Sequence, residues 1–407
     1  MSDTVGRGKL SLTLSSLPST FYKLLFLALP LSIFIFPKLD LWVSAGLFFQ
    51  LGIYGLFILS FLQRVGHPLP RNIPFYVLSI WLVLQTALVF HGSARQNFYN
   101  HLNIYAFLNY LTFLLFYRAT CESISGSDVK RILCYMAYGV TFVCLYSLVQ
   151  ALNLDEFMDP LATDYDRSTW YKADYLVGTL GNPSHLAGYL GICLPLFYIR
   201  EGKRWFILGC LAWLIIALSG STSGLITGIS STAFFAVFRR MKVFVPVIVG
   251  IAFFSVIFLF RGYDFRNAVI QYTNLSGRIE VWKTVGDTWR KKPLLGHGLG
   301  YMRFMRLVDK TKTTWSHAHN EYLQGLLELG LIGVGLVLWC LWDYFRVYFS
   351  MVKSNEAVCL ASMMTGFLAN SMFNFPMHLW IISSLGMASY SLIYVLKCEE
   401  EYGYAKE

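Results

Sequence analysis

The chain has 407 residues, of which 56% are hydrophobic, 17% aromatic and only 14% charged. Soluble globules of this size carry far more charge, so the composition excludes one and points to a protein with many membrane-spanning helices. The formal charge of +10 does not indicate nucleic acid, because excess Lys and Arg in a membrane protein is chiefly a topology signal and no aromatic-basic RNA-binding motif accompanies it.

In chain order, Met1 to Ser16 is polar and basic and lacks the small-residue cleavage site of a secretory signal, so it is expected to be retained. Apolar runs of bilayer-spanning length follow at 22–37, 41–62, 73–91, 102–117, 131–152, 184–199, 204–219, 221–238, 243–260, 321–342, 357–374 and 377–396, which predicts about twelve spans in an all-α, polytopic fold. Three regions result: about nine spans over 1–260, a long polar loop over 261–320, and further spans with a cytoplasmic tail over 321–407. The eight cysteines lie mostly inside apolar runs and none forms a Cys-x-x-Cys pair, which predicts neither a disulfide framework nor a zinc site.

Positive residues in short loops stay on the cytoplasmic side. One set of connections holds Arg64 and Arg71, Arg118 with Lys130 and Arg131, Arg200 with Lys203 and Arg204, Arg239 with Arg240 and Lys242, and Arg346 with Lys353. The opposite set holds Lys38, Arg95 and the acidic segment from Asn153 to Val177. This parity places both termini inside and Arg261 to Asn320 outside. No ATP or nucleotide-sugar is available there, and no Gly-x-x-x-x-Gly-Lys-Ser/Thr loop is present. Any reaction on that face needs a substrate already activated and carried across.

The first outward motif is Gly178-Thr179-Leu180-Gly181-Asn182-Pro183-Ser184-His185, which breaks the chain just before a span. Irregular backbone at membrane depth is tolerated where it lines protein or a wet cavity, so Asn182 and His185 are expected to face one. Ser219-Gly220-Ser221-Thr222-Ser223-Gly224 offers small hydroxyl residues that either contact sugar or let helices pack closely, and packing is favoured. In the long loop, Ile279, Trp282, Val285 and Trp289 recur at helical spacing and predict an amphipathic helix along the membrane surface. Arg278, Lys283, Arg290, Lys291, Lys292, Arg303 and Arg306 crowd the same loop. Arginine presents a planar fork suited to phosphate oxygens, which fits a lipid diphosphate; the alternative is contact with anionic headgroups.

Pro293-Leu294-Leu295-Gly296-His297-Gly298-Leu299-Gly300 is a glycine-rich turn, either a close backbone approach to a ligand or a plain reversal. The loop ends at Trp315-Ser316-His317-Ala318-His319-Asn320-Glu321, where Asn320 is a good N-cap for a helix starting at Glu321. The positive end of that helix disfavours imidazolium, so His319 is expected to be neutral and able to act as a general base; the alternative is that His317 and His319 only hydrogen-bond the loop. Metal binding by His297, His317 and His319 is disfavoured for want of a carboxylate pattern. Glu321, Gln324 and Glu328 share one stripe of the following span, and a carboxyl two turns into a membrane helix must be neutral, paired or facing water.

The order of a Gly-Asn-Pro segment before a middle span, an Arg-x-x-x-Trp helix in a long outer loop, the Pro-Leu-Leu-Gly-x-Gly-x-Gly turn and His-x-His-Asn-x-Tyr-Leu leading into a span resembles the O-antigen ligase and polymerase family. That family includes the lipopolysaccharide ligase WaaL, the Wzy polymerases and protein O-oligosaccharyltransferases. The His-Asn pair followed down the span by two small residues of the ligases is matched by His319-Asn320, then Gly330 and Gly333. The resemblance implies a GT-C-like membrane glycosyltransferase, without metal or other cofactor, in the bacterial cytoplasmic (inner) membrane. Its implied partners are an undecaprenyl-diphosphate-linked glycan donor, a glycan, lipid A-core or protein acceptor, and membrane lipids. His319 matches the proposed base and Arg278 an arginine that engages the diphosphate. Asn320 and Glu321 are expected to orient the imidazole, and His317 to lie at the substrate. Where ligases carry a further arginine this chain has Ser221-Thr222-Ser223, and Arg303 and Arg306 are the candidates to take its place. The rival reading is a transporter or flippase of lipid-linked oligosaccharides.

Overall fold

A computed structural model describes residues 17–31, 52–55, 72–88, 94–152, 154, 176–239, 275–305, 307–308 and 314–403. The main helices are α1 (Ile73–Leu88), α2 (Ala94–Ser123), α3 (Gly126–Ala151), α4 (Pro183–Cys193), α5 (Lys203–Leu218), α6 (Thr222–Arg239), α7 (Leu275–Trp289), α8 (Glu321–Ser350), α9 (Asn355–Ser371) and α10 (Trp380–Gly403). Apart from one antiparallel pair, Leu307–Val308 with Thr314–Trp315, the regular structure of the described residues is helical.

Three of these helices are long and apolar enough to cross a membrane: Gly126–Ala151, Glu321–Ser350 and the Trp380–Glu401 part of α10. They coincide with the spans expected at 131–152, 321–342 and 377–396. Helices also occupy the stretches expected at 73–91, 204–219, 221–238 and 357–374, whereas 243–260 and parts of 22–37 and 41–62 lie outside the described residues. The total of about twelve therefore rests on the apolar runs alone. The lipid-length helices keep apolar side chains on their outer surfaces, among them Leu331, Ile332, Leu338, Trp339 and Trp342 of α8. Such residues need no burial in protein when lipid is the surrounding medium.

The buried core runs through α2, α3, α4, α5, α9 and α10, with Phe116, Ile132, Leu190, Trp213, Leu360 and Leu392 fully or nearly fully enclosed. α4 and α6 lie so close that a Cβ on Gly224 would collide with Ala187, and Ser231 Oγ donates to the Gly191 carbonyl at 2.6 Å. The small residues at 221–224 thus serve helix packing here, as in other small-residue interfaces. Asn370 of α9 joins the same seam through Nδ2 to Thr227 Oγ1 at 3.1 Å. Asn374, expected on the same helix, lies beyond the end of α9 in the turn that follows.

α8 is not one uninterrupted helix. Gly330 has φ 66° and ψ −174°, so the helix stops at Leu329 and restarts. The second part, 331–350, is by itself ~30 Å long and reaches across a hydrocarbon core. The break frees backbone groups, and the Pro293–Gly298 turn takes them up. His297 N donates to the Leu327 carbonyl at 2.8 Å and Gly298 N to that of Glu328 at 2.9 Å, while Leu331 N donates to Pro293 O at 2.9 Å and Ile332 N to Leu294 O at 3.2 Å. Gly296, at φ 72°, faces Gly330 across this contact. A Cβ on Gly296 would stand 2.5 Å from Gly330 N, and one on Gly330 would strike the Leu294 carbonyl. The glycine-rich turn is therefore a backbone clasp on a broken helix.

Gly330→Ala is expected to lower the thermal midpoint of the detergent-solubilised protein strongly. A positive φ with an extended ψ is a backbone region essentially confined to glycine and alone costs ~1–3 kcal/mol for a residue with a Cβ, and the collision adds to it. Gly335→Ala is the control, because its added methyl meets open space and alanine is the better helix former; it should leave the midpoint unchanged or raise it.

Candidate active site

The segment that holds α7, the 301–305 helix and the loop 316–320 packs on the start of α8 through a small core of Val281, Val285, Met302, Trp315, Ala318 and Leu327. α7 buries Val281 and Val285 in this core with Trp289 packed against it, whereas Ile279 of the expected face is exposed; Trp282 faces the loop 316–320. Asn320 caps α8, its Oδ1 accepting from Leu323 N at 3.0 Å. Asn182 does the same for α4, accepting from Ser184 N at 2.9 Å, with Pro183 at the first helical position.

The peptide of Ala318, between the two histidines, is held from both sides. Trp282 Nε1 donates to its carbonyl at 2.8 Å, and its N–H donates to Gln324 Oε1 at 3.1 Å. Next to it, His319 has φ 49°, the one non-glycine residue with positive φ among the described residues. Such strain persists only where the surroundings over-determine it, and it concentrates at functional sites.

Three histidines gather round Phe375, which lies in the turn between α9 and α10. His317 stacks on the ring at 4.3 Å and 9°, His319 meets it edge-on at 4.8 Å, and His185 does so at 5.7 Å. Trp315 covers His319 at 5.0 Å. From α7, Arg278 Nη1 donates to the Phe373 carbonyl at 3.1 Å. The Nδ1 atoms of His317 and His319 and the Nε of Arg278 have no hydrogen-bond partner among the described residues. Elsewhere most buried polar atoms find one, so this pocket keeps unspent donor and acceptor capacity. His185, Arg278 and the His317–His319 pair are thus brought from three segments distant in sequence to a fourth, the turn that carries Phe375.

Burial is the main cause holding His319 well below its ordinary pKa, assisted by the positive charge of Arg278 and by His185. The helix end invoked from the sequence is secondary to this desolvation. His317 is likewise lowered by burial, then by His378, Arg303 and His319. Burial lowers Arg278 to about 10, which leaves it charged at neutral pH.

A second polar chain runs beside the first. Glu328, 3% exposed, accepts from Gly300 N at 3.0 Å, Met302 N at 3.2 Å and Gln324 Nε2 at 3.3 Å. Its carboxyl is paired with donors, as its depth requires. Gln324 Nε2 also meets His378 Nε2 at 2.9 Å, and His378 Nε2 lies 3.4 Å from Glu321 Oε1. Glu321 Oε2 accepts from Met377 N at 3.4 Å. Among the described residues the contacts of Asn320 and Glu321 go elsewhere than the His319 ring expected of them: Asn320 caps α8, and Glu321 meets His378 and Met377 N. Arg303 is exposed, lies over Tyr105 at 5.7 Å, and faces His317 and His378 electrostatically. Arg306 lies outside the described residues. His297 bonds the Thr288 carbonyl at 2.9 Å and stacks on Tyr301 at 4.4 Å, so it belongs to the clasp. All eight cysteines are free, and no cluster of three His, Cys, Asp or Glu fit to hold a metal occurs among the described residues.

An apolar cavity of about 210 Å³ opens beside this chain, from Glu321 and Met377 past Leu329 and Leu338 to Tyr390. The turn 373–378, which supplies Phe375 and His378, was missed by the sequence reading. Its one signal was Asn374-Phe375-Pro376 interrupting two apolar runs.

A helical membrane protein with a strained neutral histidine and a buried arginine at one end of its bundle is the class these features define. Residues 206–340 match the model of the O-antigen ligase family, a stretch that contains Arg278, His317, His319, Asn320, Gly330 and Gly333. A Rickettsia conorii protein provisionally named polysaccharide ligase is 27% identical over 117 residues, 26% of this chain and 28% of that protein. Similar proteins of Rickettsia felis and Rickettsia typhi, with the same provisional name, are 26% identical over 117 residues and 25% over 119. The alignments span less than a third of each relative's length. His185, Phe375 and His378 fall outside the matched stretch and join the pocket only through the fold.

The direction of the His319 and His317 shifts fixes a pH dependence of stability. The folded protein holds these rings neutral, whereas the unfolded chain protonates them near ~6.5. Their contribution is therefore present above that pH and is lost as pH falls below it. Thermal midpoints measured from pH 7.5 to 5 should decline, and His319→Asn should flatten the decline.

Proposed function

We propose that this protein is a glycan transferase acting at the outer face of the bacterial cytoplasmic membrane. It moves a glycan from undecaprenyl diphosphate to a hydroxyl of an acceptor: a glycan chain, lipid A-core or protein. The single observation that carries this reading is the meeting of a neutral, strained His319 with the buried, incompletely satisfied Arg278 inside the stretch that matches the O-antigen ligase family.

In this reading His319 takes the proton of the acceptor hydroxyl as its oxygen attacks the anomeric carbon, and the bond to the diphosphate breaks on the opposite face, inverting the centre. Arg278 faces the departing diphosphate with its unpaired Nε, and charge developing there is stabilised without reorganisation. Arg303 supplies further positive potential from the rim. Diphosphate is a good leaving group, so positioning and charge stabilisation matter more than acid catalysis. His185 and His317 shape the wall on which the sugar lies, and the adjoining apolar cavity suits isoprenoid units of the donor. Ligase and polymerase activities share this chemistry and differ in the acceptor.

Purified protein in nanodiscs, given an undecaprenyl-diphosphate oligosaccharide and candidate acceptors, should transfer glycan in the presence of a chelator. His319→Ala should reduce transfer by ~10²–10⁴-fold, the usual worth of a general base, and Arg278→Ala by ~10²–10³-fold. Full activity in His319→Ala would overturn the assignment of His319 as the base, and no transfer by the wild type to any acceptor would favour carriage of the lipid-linked glycan over chemistry.

A further inference from the structure

The Gln324–His378–Glu321 chain lies beside the pocket and has no part in the transfer step described above. We propose that His378 is a positioning residue for His319, and that taking up a proton at its Nε2 releases the clamp on the Ala318 peptide and switches the site off. This rests on the reading of His319 as the base.

The argument begins with the hydrogen-bond capacity of Gln324. Its amide oxygen accepts from Ala318 N, and its two N–H groups point to Glu328 Oε1 and His378 Nε2. With the carbonyl committed to a backbone N–H, the amide cannot be flipped without setting donor against donor at Ala318. His378 Nε2 must therefore be an acceptor, with its proton on Nδ1. All three of these Gln324 interactions are then satisfied together, and the amide is locked.

The same Nε2 stands 3.4 Å from Glu321 Oε1, which is the acceptor a protonated Nε2 requires. Once protonated, Nε2–H points to Glu321 and opposes the N–H of Gln324. Gln324 then has two options: it turns away, or it flips and loses both Ala318 N and Glu328. Each option removes the acceptor from Ala318 N–H, one residue before the strained φ of His319. A strained backbone conformation lasts only while its surroundings enforce it. Loosening Ala318 thus lets His319 relax out of place.

The groups facing His378 are Glu321 and Glu328 from α8, Arg303 from the 301–305 helix, and His317 from the loop 316–320. Tyr110 of α2 faces the two carboxyls. Burial opposes a charge on His378, yet the two glutamates outweigh it and raise its affinity for a proton. His319 and His317 go the other way. As pH falls from neutrality His378 is therefore protonated first, while the base is still free.

The test is the pH profile of glycan transfer from pH 8 to 5 for wild type, His378→Gln, Glu321→Gln and His319→Ala in nanodiscs. Wild type is expected to lose ~tenfold of its rate per pH unit on the acid side, as a single protonation does. In His378→Gln, which keeps an oxygen acceptor for Gln324 and cannot take the proton, the acid limb should move to a pH at least ~1 unit lower, where His319 itself titrates. Glu321→Gln removes the negative charge that favours the protonated ring and should also move the limb downward. An acid limb identical in wild type and His378→Gln overturns the proposal, as does a wild-type limb that Glu321→Gln leaves in place while the protein stays folded. Loss of activity at every pH in His378→Gln is resolved by ¹⁵N-histidine spectra of the wild type: one histidine titrating above the others, absent in the folded variant, supports the switch, and its absence refutes it. His319→Ala retaining full transfer sinks the reading of His319 as the base, independently of any limb.

Discussion

The clasp between the Pro293–Gly298 turn and the break in α8 is the contact on which the rest of the histidine site depends. A helix that stops at Leu329 leaves carbonyls and amides without partners, and in or near lipid each orphan is expensive. The turn answers two carbonyls and two amides of the break, but only because Gly296 and Gly330 let two backbones meet with no side chain between them. Through that contact the outer segment becomes continuous with a membrane helix. Glu328, just before the break, then reaches Gly300 and Met302 and ties the next piece of loop to the same helix. The positions of Arg278 and His319 follow from this anchoring, since α7 and the loop 316–320 share a core with Met302 and Leu327.

Much of the site was legible because its chemistry sits in local patterns. Asn320 before Glu321 reads as a cap, Arg278 opens an amphipathic helix, and two histidines two residues apart at a span boundary draw notice without any fold. The Asn182-Pro183 cap is equally plain. Gly330 and Gly333 were quoted as a motif, but their reason was invisible: a left-handed residue in mid-helix shows no periodicity signal, and its partner Gly296 lies far upstream. The Phe373–His378 turn was hidden for a different reason. Phe375 and His378 matter only because the bundle folds α9 and α10 back beside the loop, a long-range event that no spacing rule records. The span count was legible as hydropathy and no further, since apolar length does not say where a helix breaks.

The roles of charged residues shifted in the same way. From sequence, Glu321 and Glu328 formed a stripe facing a cavity. In the fold one is an anchor saturated by backbone donors, and the other is the counterpart of His378. Neither is left as a bare carboxylate in lipid, which is the condition for tolerating it there. The stripe is real, but its meaning is set by what packs against it.

The pocket also has a charge logic that depends on being filled. Arg278 is mostly removed from water, with burial drawing it down to about 10, and its charge helps hold His319 below the ordinary histidine range. In the proposed reaction a base so depressed is a weak one until a donor binds. A diphosphate bound against Arg278 brings negative charge to the same spot, offsets the arginine's field at the imidazole and raises its basicity. The donor would then switch on the residue that deprotonates the acceptor, so that an acceptor hydroxyl meets a competent base only when a leaving group is in place. Water reaching the pocket without a donor finds His319 a poor base, and water reaching it with one competes against an acceptor held by the walls around Phe375. Order of binding, in this arrangement, follows from electrostatics alone.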